Sequence, residues 1–461
     1  MLPVLNLAGS GIAILCAVAG LARAQVTVET SVNFRLVNKG SGLVLGIQSA
    51  SRAAGAAAQQ SPDTADADHL WHFLPAGNNW YKIVNAYSAE VLGVADGPVV
   101  QCADNGAADR LWEVIDAGGG YSRIRNVNSG LLLGIPNPTG KSGKAALAAG
   151  DDVAGALWRL LPAGPAYPDP LPVTGDTLVH DPSVVKAANG TYYLFGTHGG
   201  IRMQSSPDRT YFVRTSPALS AIPSWVSTYN KGDLWAPDVS YRDGKYWLYY
   251  AASTFGKNVS AIGLATSLTA APGDWVDQGV VCRSQSDEDY NAIDPGLIVD
   301  RSGGWWLSFG SFWGGIQMIQ IDPATGKQTS KNNTRYPLAR RTATPAIEAA
   351  YIYSHGEYYY LFVSFDRCCV GIRSTYHIAV GRSSSVTGPY YDRGGVAMSD
   401  GGGTIVLSTH GHVVGPGGQM VMHETDGDLL IYHYYDGNSN GRPMLGMNHI
   451  VWDSEGWPRI N

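Results

Sequence analysis

The stretch LVHDPSVVKAANGTYYLFGTHGG, Leu178 to Gly200, reads as two strands joined at Asn189-Gly190, a dipeptide that favours a tight hairpin turn. The hairpin accounts for the apolar run before the turn and for the aromatic run Tyr192-Tyr193-Leu194-Phe195 after it, but not for Asp181 at its head. Three further stretches repeat the pattern: WAPDVSYRDGKYWLYYAAS (235–253), AIDPGLIVDRSGGWWLSFGS (292–311) and AIEAAYIYSHGEYYYLFVS (346–364). Each has an acid, an apolar strand, a glycine-containing turn and an aromatic strand. The acids Asp181, Asp238, Asp294 and Glu348 are 57, 56 and 54 residues apart. A fifth copy, VVGPGGQMVMHETDGDLLIYHYY (413–435), has Gly417 and its neighbours where the acid should stand.

Five units of this length, built from short antiparallel strands, predict a five-bladed β-propeller. The innermost strand of every blade lines the central channel, so equivalent positions converge on one axis. An isolated acid beside a turn is explained by capping that turn; four at matched spacing are expected to point at the axis together. Crowded carboxylates raise one another's pKa, so some hold a proton near neutrality while others stay ionised. That pairing is the equipment of glycoside hydrolysis, in which one carboxylic acid protonates the leaving oxygen and one carboxylate activates water.

Upstream, a different repeat runs from about residue 30 to 161. FRLVNKGSGLVLGI, YKIVNAYSAEVLGV and YSRIRNVNSGLLLGI align on Asn38, Asn85 and Asn126, and each is followed by a Leu-Trp strand at Trp71, Trp112 or Trp158. Three such units predict a three-fold barrel with the tryptophans packed at its core. The chain is thus all-β, an N-terminal β-trefoil over 25–161 and a propeller over 176–461. Between them, residues 162–175 carry five prolines, which read as an extended semi-rigid spacer or as an ordered strap along the second domain.

Composition bounds the partners. Only 15% of the 461 residues are charged, the net charge is -6 and there is no Lys/Arg run, which argues against nucleic acid. With 57 Gly, 25 Tyr and 13 Trp, the chain is rich in turns and in rings that fill cores or stack on sugars. Residues 1–24 read as a signal peptide, with an apolar run from Gly11 to Ala22 and the small-x-small site Ala22-Arg23-Ala24, giving a secreted chain that starts at Gln25. The alternative, a membrane anchor, is opposed by Asn6 and Ser10, which leave the run short of a span. Cys16 leaves with the leader, and Cys102, Cys282, Cys368 and Cys369 remain. The adjacent pair Cys368-Cys369 either closes a ring or stays as two thiols. Sequons at Asn189, Asn258 and Asn332 permit glycosylation in a eukaryotic host.

The first repeat resembles the ricin-type β-trefoil lectins, whose repeats close on Gln-x-Trp. Here Asp-His-Leu, Asp-Arg-Leu or Ala-Leu precedes the Trp, and Gly46, Gly93 and Gly134 stand where such lectins carry an Asp. The second repeat resembles glycoside hydrolase family 43, in particular its endo-1,5-α-L-arabinanases, through HDPS, LWAPDV, NAIDPG, SFWGGI and AIEAAYI in order and at blade spacing. The resemblance implies inverting hydrolysis of arabinan with Asp181 as base, Glu348 as acid and Asp294 tuning the acid, with acid and base about 6.5–9.5 Å apart. It implies a supporting role for Asp238 and a sugar site formed by Asn291, Ala292, Ile293 and Asp294 with Ser311, Phe312 and Trp313, with Gly256 letting backbone approach the substrate. It also implies one channel calcium held mostly by water and one histidine, assigned to His410 rather than His412 of STHGHVVGPGGQ. The competing readings are an exo-acting α-L-arabinofuranosidase or β-xylosidase on the same propeller, and a non-catalytic two-domain lectin.

Overall fold

A computed structural model describes residues 26–461 apart from 31, 65, 96, 141, 150–153 and 166. The leader, Cys16 and Gln25 lie outside the described residues, and among those described no helix is long and apolar enough to cross a membrane. The chain divides into two compact units, the first running to Ala163 without Asn85–Glu90, which group with Gly164–Asn461 in the second.

The first unit is the trefoil, and its three-fold repeat extends to individual hydrogen bonds. Trp71, Trp112 and Trp158 are fully buried, and their indole N–H groups donate to the carbonyls of Leu45, Leu92 and Leu133 at 2.9, 2.8 and 2.9 Å. Burying an indole N–H unpaired is costly, so each ring is oriented as well as packed. Asn38, Asn85 and Asn126 each cap their turn, the side-chain oxygen accepting backbone N–H groups two or three residues on. Where the related lectins carry an Asp, a Cβ on Gly46 would lie 2.3 Å from the His69 ring and one on Gly93 2.5 Å from Cys102 Sγ.

The second unit is the propeller. Five antiparallel sheets have innermost strands Ser183–Lys186, Trp235–Arg242, Gly296–Val299, Ile347–His355 and Val413–Glu424. The ring closes where residues 177–179 meet 443–445, through the Leu178–Met444 bridge and the Leu445 N–H bond to Thr177. The aromatic strands are apolar on both faces because each blade is sandwiched between two others. Tyr193 and Phe195 pack with Val239, Leu248 and Tyr250 of the second blade, whereas Tyr192 and Leu194 pack with Met420, Leu429 and Ile431 of the fifth. The other three junctions have the same construction.

The proline-rich segment continues onto the propeller as an ordered strap. Leu171 N–H donates to the Met447 carbonyl at 2.7 Å, Asn448 to the Asp169 carbonyl at 2.9 Å, and Thr174–Gly175 adds a parallel strand beside Tyr211–Arg214. Cys368 and Cys369 are joined as a disulfide, in which Cys102 and Cys282 take no part. Asn258 is buried, its amide donating to the carbonyls of Gln285 and Glu288, so that sequon is closed to a glycan.

Candidate active site

In or just before each innermost strand one residue takes the left-handed conformation: Asp181, Ala236, Asp294, Ala349 and Gly418, with φ of 50, 45, 57, 55 and 60°. Each begins a short segment lining the channel. These five, not the four acids, are the equivalent positions. Asp238 sits two residues beyond its blade's left-handed residue and Glu348 one before, with β-bulges in both strands. Two alanines held at positive φ cost on the order of 1–3 kcal/mol each, strain of a kind that gathers at working sites.

The shift separates the carboxylates chemically. Asp238 is buried, accepts a hydrogen bond from Leu297 N–H at 2.8 Å, and is pushed up to about 6 by burial. It lines the narrow channel and is absent from the wide pocket above it. That pocket, about 1200 Å³, is lined by Asp181, Asp294 and Glu348 together with Gly256, Asn291, Ile293, Ser311, Phe312 and Trp313. It exceeds the roughly 300–1,000 Å³ that encloses one small ligand, leaving room for several linked sugars. Ala292 is not part of it: fully buried, it packs in the core with Leu297 and Leu307.

Asp181 is held as a carboxylate. Burial favours its neutral form, but His180 outweighs this through charge and a 2.8 Å hydrogen bond, aided by His433 and Thr197, and the group lies well below the usual carboxylate range. Thr197 hydroxyl donates to Oδ2 at 2.6 Å and its oxygen accepts Ala236 N–H at 2.9 Å. The contacts run in a chain: Cys369 N–H donates to the Tyr435 hydroxyl oxygen at 2.7 Å, that hydroxyl pairs with His180 Nε2 at 2.9 Å, and His180 Nδ1–H donates to Asp181 Oδ2. With Oδ2 doubly engaged, Oδ1 is the oxygen left to take a proton from water.

Glu348 and Asp294 lie on the opposite side of the proton ledger. Burial raises Glu348, against hydrogen bonds from Ser311 to Oε2 at 2.6 Å and from Tyr376 to Oε1, with the Asp181 charge adding to the rise. Asp294 is raised far above its ordinary value by burial, then by the charges of Glu348 and Asp181, and accepts only the Ala349 N–H at 3.0 Å. Burial and mutual repulsion therefore let this pair keep a proton to higher pH than an isolated carboxyl would, with Ser311 and Tyr376 both bonded to Glu348.

The rim is aromatic. Phe312 and Trp313 both have positive φ, and Trp313 is 41% exposed. The turn is pinned because a side chain on Gly314 or Gly315 would run into the carbonyls of Asp289 or Ala339 at 2.4 and 2.2 Å. Opposite, the tight turn at Thr254–Lys257 uses Gly256 at φ 78° to present Phe255, which is 78% exposed. Phe255 was not among the sequence candidates, nor were His180, Thr197, Tyr376 and His433. His180 could have been found as the neighbour of Asp181, and His433 as the one imidazole in an otherwise aromatic strand.

His410 is not at the channel. Its two ring nitrogens face the carbonyls of Ser408 and Pro168 at 2.7 and 2.9 Å, and it packs on Tyr167 of the strap. The imidazole packed behind Asp181 is His433, fully buried, stacked on His180 with centroids 3.8 Å apart, and clustered with His180 and Asp181. Its Nδ1 accepts Asp181 N–H at 3.1 Å, so Nε2 carries the proton; that atom is buried with no partner among the described residues.

Comparison with known proteins places both units. Residues 172–458 match the glycosyl hydrolases family 43 model and residues 24–98 the ricin-type β-trefoil lectin domain-like model. An extracellular endo-α-(1→5)-L-arabinanase 1 of Bacillus subtilis is 45% identical over 61% of this chain and 87% of its own. An extracellular exo-α-(1→5)-L-arabinofuranosidase of Cellvibrio japonicus is 38% identical over 61% and 86%. The structure of a family 43 endo-arabinanase from Bacillus licheniformis superimposes with a TM-score of 0.59 at 45% identity, covering 62% of this chain and 99% of that one. With the model match spanning well over half of the chain, and the carboxylates it brings together in one pocket, the protein belongs to glycosyl hydrolases family 43.

Proposed function

We propose that the chain is a secreted arabinan endo-1,5-α-L-arabinosidase that cuts the α-1,5-linked backbone with inversion. The observation that carries the chemistry is the gathering of three carboxyl groups in one pocket with different partners: Asp181 accepts from His180 and Thr197, which favour its ionised form, whereas Asp294 and Glu348 sit where burial and neighbouring charge favour a retained proton. Asp181 Oδ1 takes a proton from water as the water attacks the anomeric carbon. Glu348 gives its proton to the departing oxygen, and Asp294 maintains the supply by repelling a second negative charge. The wide pocket and its aromatic rim suit a polymer, with Trp313 and Phe255 placed to stack on sugar rings. Secretion is supported by the leader and by the names of the extracellular relatives, and the trefoil is proposed to hold polysaccharide. A calcium ion bound in the channel would add positive potential beside the carboxylates, and no step above depends on it.

The Cellvibrio relative keeps exo action as the second reading. The deciding experiment is hydrolysis of debranched arabinan by the full-length protein. A ladder of oligosaccharides early in the reaction supports endo action, and arabinose alone supports exo action. Proton NMR of the first product formed reads the stereochemistry: a β-anomer supports inversion, and an α-anomer excludes it.

A further inference from the structure

The disulfide-bonded pair forms part of the pocket wall. Cys369 is exposed and Cys368 half-buried, so a reductant can reach the bond. Cys369 Sγ lies 3.7 Å from His180 Nε2, and ligand-type atoms of His180, Cys368 and Cys369 all lie within 4.8 Å of one another. In its neutral form, with Nδ1–H donated to the Asp181 carboxylate, His180 offers a lone pair at Nε2. That is how metal-binding histidines are held, one nitrogen free and the other donating to an acid. With Zn–S of about 2.3 Å and Zn–N of about 2.0 Å, sulfur and nitrogen on one tetrahedral ion stand roughly 3.6 Å apart, close to the separation already present. The second sulfur can join only if the S–S bond is broken, because two sulfurs on one ion stand about 3.8 Å apart.

We propose that His180, Cys368 and Cys369 form a latent site for a soft, thiophilic divalent cation such as zinc, closed while the sulfurs are joined and opened by reduction, and that filling it stops hydrolysis. A phosphine reductant and one water convert the disulfide to two thiols and a phosphine oxide. The cation then displaces two protons as it binds two thiolates and Nε2, with its fourth position toward the pocket. Occupation takes Nε2 from the Tyr435 hydroxyl, sets a positive charge beside Asp181 and fills space that substrate needs.

The test uses the full-length protein, either untreated or reduced with phosphine and freed of reagent. Cobalt(II) serves as a spectroscopic probe and zinc chloride as inhibitor. Reduced protein should gain one cobalt per chain with a thiolate charge-transfer band, and zinc should lower its arabinan hydrolysis at least tenfold, restored by EDTA. Untreated protein should show neither effect. The inhibition arm rests on the proposed hydrolysis, but the cobalt band does not, so failure of that activity and failure of the site are told apart. Reduced Cys369→Ser and Cys368→Ser variants separate this pair from the single thiols Cys102 and Cys282. The proposal is overturned if the band persists in both variants, if reduced protein binds no cobalt, or if zinc inhibits untreated protein equally.

Discussion

Replacing Tyr376 by Phe removes the hydroxyl that donates to Glu348 and leaves the ring in place. Tyr376 is buried at 3% exposure and Glu348 at 7%, so solvent cannot supply a substitute donor at little cost. The hydroxyl donates to Glu348 Oε1 while Ser311 holds Oε2. A hydrogen bond to a charged group contributes about 1.5–3 kcal/mol, and about 1.4 kcal/mol corresponds to one pKa unit. Loss of the donor weakens the ionised form, so Glu348, already raised by burial, should rise by roughly 1–2 units further. A general acid works while protonated, and kcat/KM against pH reports the free enzyme. The alkaline limb of that profile on debranched arabinan should therefore move to higher pH by about one to two units, with the acidic limb, set by Asp181, unmoved. Reducing-sugar release across pH measures this, with thermal melting to show that the fold persists. An alkaline limb that stays put or moves down in a well-folded variant would show that Glu348 does not govern it.

Asp294→Asn should move the same limb the other way, because a negative neighbour that helps keep a proton on the pair is gone; an upward shift would contradict the assignment. Thr197→Val removes a donor to Asp181 Oδ2 and strands the Ala236 N–H, so the acidic limb should rise by about one unit and the melting temperature should fall. An unchanged acidic limb would remove Asp181 from that role. A chain beginning at Gly164 should hydrolyse soluble arabino-oligosaccharides as the full chain does, whereas one beginning at Asp176 loses the partly buried Leu171 and Val173. At about 2 kcal/mol the shorter chain should melt roughly 4–8 °C lower, and equal melting points would show that the strap is idle.

The architecture was legible because repetition multiplies a weak local signal. One Leu-Trp strand says little, but three at matched spacing, each with a turn-forming Asn before it, require the equivalent packing that Trp71, Trp112 and Trp158 adopt. The same logic found the pocket through Asp181, Asp294 and Glu348 and then misplaced Asp238. The quantity that repeats around the channel is a backbone conformation, and Ala236 and Ala349 take it without any residue-type signature. Aligning on acids therefore set Asp238 two residues out of step: it shares the narrow channel with Asp181 and Asp294 but not the wide pocket.

The fifth blade shows why the histidine was misjudged. Sequence proximity to GPGGQ favoured His410, but a side chain reaches the axis only where a neighbouring strand leaves room. Gly418 makes that room: a Cβ there would lie 2.7 Å from both His433 Nδ1 and Asp181 Oδ1. The missing acid of the fifth repeat is thus a volume requirement, since the space it would take is occupied by His433, arriving from the next strand to stack on His180 and accept the amide of Asp181. A side chain at position 418 would displace the imidazole or the carboxylate. The glycine that reads in sequence as a defect in the repeat is what admits the group that fixes the backbone of the base.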